Sequence, residues 1–146
     1  MRKELDDLLC KRYPAIFVER NLPMQQTCMC WGFDHEDGWF AIIDCLCHTI
    51  QNHLAQNLSV PQVVAEQVKE KFGGLRFYFK GGDAFTEGAV SLAESLSYRT
   101  CEVCGATVDV GQTHKGWVYT RCRACSAKLK PEQATTWKPW AEPENA

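Results

Sequence analysis

Four cysteines form two Cys-x-x-Cys pairs, Cys101 with Cys104 and Cys122 with Cys125, and seventeen residues separate the pairs. Each pair presents two thiolates on one turn. Two such turns, brought together by a short hairpin, supply four soft ligands at the corners of a tetrahedron and leave no coordination position open. That is the donor set of one structural Zn2+. The metal is expected to supply most of the local folding free energy, because so short a segment cannot build a core of its own. Gly105 suits the tight turn after the first pair, and Trp117, Val118 and Tyr119 are expected to form the returning strand. His114 can stand in for a thiolate, but four cysteines complete the site without it.

A second group offers weaker chemistry. Cys28, Cys30, Cys45, Cys47, His48 and His53 include pairs three and four apart on one helix face, Cys45 with His48 and Asp44 with His48. A second metal held by Cys28, Cys30, Cys45 and His48 would make an open site, with Asp34, Glu36 or Asp37 as the base of a hydrolase. Cys-x-Cys is an uncommon zinc spacing and free cysteine is among the most buried residue types, so core packing is the favoured reading. Glu70 can be read as an acid with a raised pKa, or more simply as a carboxylate paired with Arg76 or Lys80. No Gly-rich phosphate loop, nucleophile elbow or His-Glu-x-x-His stretch occurs. The expectation is a protein without enzymatic activity.

The elements that must hold these residues follow from pattern. A chain of 146 residues, 45% hydrophobic and 23% charged, predicts one globular domain or one with a small appendage. Arg2 to Arg12 reads as a helix stopped by Pro14, and the alternation from Thr27 to Phe33 reads as a short strand. Trp39, Ile42, Ile43, Leu46, Ile50, His53 and Leu54 mark a long helix with Asp34 or Asp37 as N-cap. Val63 to Phe72 and Leu75 to Lys80 predict a hairpin turning at Gly73-Gly74, which places Lys71 opposite Arg76 and Glu70 opposite Phe77. Asp83 is expected to cap a second helix with Phe85, Ala89, Leu92, Ala93 and Leu96 on its inner side. The resulting class is α+β: two helices on one face of a small antiparallel sheet over residues 1–98, a four-cysteine zinc ribbon over 99–130, and a loose tail over 131–146. The sheet's other face carries Gln67, Lys69, Lys71, Arg76, Tyr78 and Lys80, a surface for an anionic partner.

Nine cysteines, an odd number with four in metal spacing, point to a reducing compartment rather than a disulfide framework. The N-terminus has no uninterrupted apolar stretch, and no run approaches the roughly 18 residues a membrane span requires, so a cytoplasmic location is expected. A net charge of −2 argues against coating nucleic acid. Arg99 to Lys130 nevertheless holds six basic and two acidic residues. Arg121, Arg123, Lys128 and Lys130 beside Trp117 and Tyr119 could contact phosphates and stack on bases, which makes a nucleic-acid-binding ribbon the main alternative.

Three motifs, Cys28-Met-Cys-Trp-Gly-Phe33, Val68-Lys-Glu-Lys-Phe-Gly-Gly-Leu-Arg-Phe-Tyr78 and Cys101-Glu-Val-Cys-Gly105, together resemble a group of small phage and prophage proteins without an assigned activity. The resemblance spans roughly Tyr13 to Cys125, and the hairpin motif is its most specific part. It implies an accessory protein of the bacterial host cytoplasm that binds a host protein or ribonucleoprotein complex, including defence systems such as CRISPR. It carries over no catalytic residue. The expected contact surface is Lys69, Lys71, Arg76, Tyr78 and Lys80 with Arg121 and Arg123.

Overall fold

Residues 1–140 are described in a computed structural model of the chain. The protein is α+β. Helix α1 (Lys3–Arg12) is followed by two 3-10 turns, Val18–Asn21 and Met29–Trp31, and by strand β1 (Phe33–Asp34). A 3-10 turn at Asp37–Trp39 leads into α2 (Phe40–Gln56), then come β2 (Val64–Lys71), β3 (Gly74–Lys80) and α3 (Ala84–Ser97). The C-terminal part contributes β4 (Val110–Thr113), β5 (Thr120–Cys122), α4 (Arg123–Ser126), α5 (Pro131–Ala134) and β6 (Trp137–Pro139).

The helical stripe foreseen for α2 is the backbone of the core. Trp39, Ile43, Leu46, Ile50 and Leu54 are buried against Leu9 of α1, Val68, Leu75 and Phe77 of the sheet, and Val90 and Ala93 of α3. Each such large apolar side chain contributes about 1.5–3 kcal/mol through burial. The helix begins at Phe40, one residue after the first member of its stripe and directly after the Asp37–Trp39 turn, and neither Asp34 nor Asp37 caps it. Asp83 does cap α3, accepting the Thr86 N–H at 3.1 Å, an interaction worth about 1 kcal/mol.

Tertiary contacts redraw several of the expected details. Thr27 to Phe33 is not a strand; only Phe33 and Asp34 pair, and they pair parallel to Val68 and Lys69, so the sheet β1-β2-β3 is mixed. In the hairpin Lys71 faces Gly74, Lys69 faces Arg76 and Glu70 faces Leu75. The turn is therefore Phe72-Gly73, with φ of 56° and 76°, the two left-handed residues of a type I′ turn. Gly74 is held in the strand because the Tyr98 ring lies against it and leaves no room for a side chain. From Gln67 to Lys71 this two-residue change of register keeps the side chains on their expected faces, whereas a bulge between Ala65 and Gln67 turns Ala65 inward, opposite Phe79.

The buried side of α3 is Thr86, Val90, Ala93 and Ser97, whereas Phe85, Leu92 and Leu96 are exposed. The reason is the open edge of β3. Ser97 Oγ accepts the Leu75 N–H at 2.8 Å and Glu94 accepts the Phe77 N–H at 3.0 Å, so α3 turns polar groups toward strand donors that have no neighbouring strand.

The segment expected to be a loose tail is ordered as far as it is described. β6 pairs with β4 to complete the sheet β5-β4-β6, and the Trp137 indole N–H donates to the Arg121 carbonyl at 2.9 Å. Residues 141–146, the rest of that expected tail, lie outside the described residues. No helix among the described residues is long and apolar enough to cross a membrane.

Candidate metal centre and adjoining cleft

The paired turns of the sequence converge. The sulfur atoms of Cys101, Cys104, Cys122 and Cys125 lie within 4.8 Å of one another, with Cys104 and Cys122 at 3.8 Å. The first turn is closed by the Gly105 N–H donating to the Cys101 carbonyl (2.9 Å) and the Cys101 N–H donating to Ala106 (2.8 Å), and Gly105 takes a φ of 76°. The second turn follows from pairing of Val110 with Cys122, after which α4 swings Cys125 back toward the first pair. The returning strand is thus Thr120–Cys122; Trp117, Val118 and Tyr119 form its approach.

Three of the four cysteines are buried and Cys104 is exposed. Burial pushes the Cys125 thiol up to about 12 and raises that of Cys101, while the Ala106 backbone N–H draws Cys104 down. Four thiolates this close repel one another, and a cation at their centre is the means of holding all four ionised. The donor set therefore fits a metal ion. It is the sole group of three or more Cys, His, Asp or Glu ligands that assembles among the described residues.

The second metal group does not form. Cys28 and Cys45 are exposed, Cys47 is buried in the core, Cys30 Sγ contacts the Thr27 carbonyl at 3.2 Å, and His48 lies 2.9 Å from Asn52. His53 contacts Asp83 at 2.8 Å and stacks on Phe85.

Two contacts seat the cysteine hairpin on the α+β core. At one, the Gly38 N–H donates to the Glu102 carbonyl at 2.6 Å, and a side chain at Gly38 would collide with the Cys101 carbonyl. Trp39 Nε1 donates to Thr100 (2.9 Å) and the Glu36 N–H donates to the Glu102 carboxylate (3.2 Å). At the other, the Gly73 carbonyl of the β2–β3 turn accepts from the Thr120 hydroxyl. Glu70 belongs to this junction: it accepts the Gly73 N–H at 2.6 Å and the Trp117 indole N–H at 2.9 Å. Its partners are these two donors rather than Arg76 or Lys80.

A cleft of about 950 Å³ opens between the junctions, bounded by the end of β1, the β2 edge and Gly116–Val118. Glu102 and His35 line it and both are buried. Loss of solvation pushes the Glu102 carboxyl up to about 7, against the opposing Glu36 N–H. Neither residue stood out in the sequence; the position of Glu102 inside the first Cys-x-x-Cys was the available signal.

The expected contact residues divide. Lys69 and Lys71 lean on the Tyr78 and Phe72 rings, at 5.8 and 5.4 Å, and make no ion pair among the described residues. Of the others, Lys80 and Arg123 are in ion pairs, whereas Arg76 and Arg121 meet no acid among the described residues. Arg76 donates to the Tyr98 hydroxyl (2.7 Å), Lys80 pairs with Glu19, Arg123 pairs with Asp109 through two contacts, and Arg121 lies over the Tyr119 ring. The fold and site define a class, an α+β protein carrying a docked cluster of four cysteines that could hold a metal ion. Comparisons with protein-family models, curated proteins and solved structures yield no match.

Proposed function

We propose that the chain is a non-enzymatic, phage-type accessory protein in which a zinc ribbon braces a binding surface for a host macromolecular complex, with inhibition of a bacterial defence system as the outcome. Zinc suits four thiolates: Zn–S bonds of about 2.3 Å give sulfur–sulfur edges of about 3.8 Å, the separation of Cys104 and Cys122. The site is closed, so the metal's role is structural.

The observation that carries the reading is Phe72. It occupies a left-handed position that a type I′ turn normally gives to Asn or Gly, and its ring is 71% exposed. A left-handed conformation costs an ordinary residue about 1–2 kcal/mol. Among the described residues its ring stacks on no other aromatic side chain and meets the Lys71 ammonium at 5.4 Å. With Lys69, Lys71 and Tyr78 it makes an aromatic, basic tip, the composition that anchors protein interfaces. Lys80 and Arg123 drop out of that surface because acids within the fold pair with them, and Arg76 because its guanidinium is held against Tyr98 and the Leu75 carbonyl.

The test is native mass spectrometry of tagged protein recovered from bacterial lysate, for the wild type, Phe72→Asn and Lys69→Glu/Lys71→Glu. One zinc per chain and a discrete protein partner are expected, with capture reduced about tenfold or more in both variants, as befits loss of an anchor. Phe72→Asn should melt no lower than wild type, because Asn-Gly is the preferred pair in this turn. Unchanged capture would sink the surface. Recovery of nuclease-sensitive nucleic acid, released steeply by salt, would replace the reading with direct nucleic-acid binding.

A further inference from the structure

We propose that the outer face of the α2–α3 pair is a self-association surface, on which a second copy of this chain docks to form a two-fold symmetric dimer. The two helices run antiparallel. His53 in the last turn of α2 stacks on Phe85 in the first turn of α3, and Trp39 just before α2 donates to the Thr100 carbonyl just after α3. A groove of about 310 Å³ opens to solvent between them. None of the described residues that line it is charged, and Leu92 and Leu96 on its rim are 61% and 48% exposed. Contiguous exposed apolar surface rimmed by polar residues marks an interaction site.

The occupant follows from the way this face complements itself. α2 brings to it Ala41, Cys45 and Thr49, three exposed side chains of small size spaced four apart, one helical turn each. α3 brings a ridge, Leu92 and Leu96, at the same spacing. A row of small side chains beside a row of large ones is a shape that its own copy fits, ridge into groove. A two-fold axis lying along the helices and midway between them lays α2 of each copy over α3 of the other, and each contact is then made twice. Such an axis keeps every residue at its own level along the helices. With Trp39 level with Thr100 and His53 level with Phe85, Leu96 meets the gap between Ala41 and Cys45, and Leu92 the gap between Cys45 and Thr49.

Charge does not oppose this pairing. At about 100° per residue, Glu87 and Glu94 fall on the flank of α3 turned away from Leu92. Glu94 is bonded to the Phe77 N–H at 3.0 Å, and Asp44 of α2 is paired with Arg12 at 2.8 Å. The size is sufficient as well. A helix of 17 residues is about 25 Å long and two helices side by side are about 20 Å wide, so the two copies together cover about 1,000 Å². That is the lower bound of a specific interface and corresponds to reversible pairing at about micromolar concentration. The surface shares no residue with the hairpin tip, so it stands or falls independently of Phe72, Lys69 and Lys71.

The test is sedimentation velocity of the zinc-loaded full chain under reducing conditions, from micromolar to millimolar concentration, for wild type, Cys45→Lys, Leu92→Glu and an equimolar mixture of the two variants. Both positions are exposed in the single chain, so both variants should fold, and a Tm equal to that of dilute wild type verifies it. Wild type should dimerise. Each variant alone should be monomeric, its Kd raised about a hundredfold or more, because the symmetric dimer meets the introduced charge twice in an apolar contact. The mixture should pair again: the mixed dimer keeps one unaltered contact between Cys45 and Leu92 and joins the introduced ammonium to the introduced carboxylate at the other. A wild type that stays monomeric at millimolar concentration, dimers indifferent to either substitution, or a mixture that remains monomeric would each overturn the proposal. A host protein captured from lysate by monomeric wild type and lost in Leu92→Glu would overturn it too, in favour of a foreign partner on this face.

Discussion

The His35 ring lies 6.2 Å from that of Phe33 and 5.5 Å from that of Trp39, and burial lowers its pKa from 6.5 to about 4. The unfolded chain therefore takes up a proton on this residue at a higher pH than the folded chain does. Above about 6.5 neither state is protonated and the residue adds no pH dependence; as pH falls from there toward 4, unfolding is favoured. Between pH 7 and 5 the loss is about 2 kcal/mol. Glu102 acts in the opposite sense. Its raised pKa makes the folded state gain as pH drops through 7, so the two slopes must be separated by difference. Urea unfolding of wild type and His35→Phe at both pH values should show the variant losing about 2 kcal/mol less than wild type. Equal losses would mean that His35 is solvated in the folded protein.

Among elements, the cysteine hairpin differs from the rest in what holds it. Its own apolar cluster comprises Cys101, Val110, Cys122 and Cys125, with Val103 and Ala106 against it, whereas α2, α3 and the first sheet share one large core. If the proposed zinc replaces a core here, chelation under reducing conditions, or Cys104→Ser, should strip amide protection from β4, β5 and α4. Protection in α2, β2, β3 and α3 should survive. Hydrogen exchange read by mass spectrometry distinguishes this from uniform loss, which would show that the metal stabilises both parts equally. The same contrast explains what was legible in the sequence. The α2 stripe and the Cys-x-x-Cys pairs are local periodicities with a direct chemical meaning, and both were placed correctly. The Phe72-Gly73 turn depends on Tyr98, the buried face of α3 on the open edge of β3, the ordering of β6 on β4, and the partner of Glu70 on Trp117. Each of those is decided by a residue far away in the chain, which no local pattern carries.

For the whole molecule, the junctions at Gly38 and Gly73 matter more than either part alone, because they flank the cleft and set the distance between its walls. Gly38 allows this to be tested with one atom group. Its φ is not in the left-handed region, so alanine fits the backbone there, and it precedes α2, where alanine does not oppose helix formation. A methyl group at this position meets the Cys101 and Glu102 carbonyls and the Gly105 N–H, all backbone, which cannot move aside as a side-chain tip would. Gly38→Ala should therefore leave the α+β core folded but unseat the first Cys-x-x-Cys turn, lowering stability by about 1–3 kcal/mol, the usual range for overpacking. If the turn must be undocked before the metal escapes, zinc transfer to a chromophoric chelator should also accelerate, by about tenfold for each 1.4 kcal/mol lost from docking. Calorimetry and chelator kinetics on the full-length protein measure the two effects independently. A lower Tm with an unchanged transfer rate would mean that the metal leaves from the docked state through exposed Cys104, and an unchanged Tm would mean that the cysteine hairpin is not seated on Gly38 in solution.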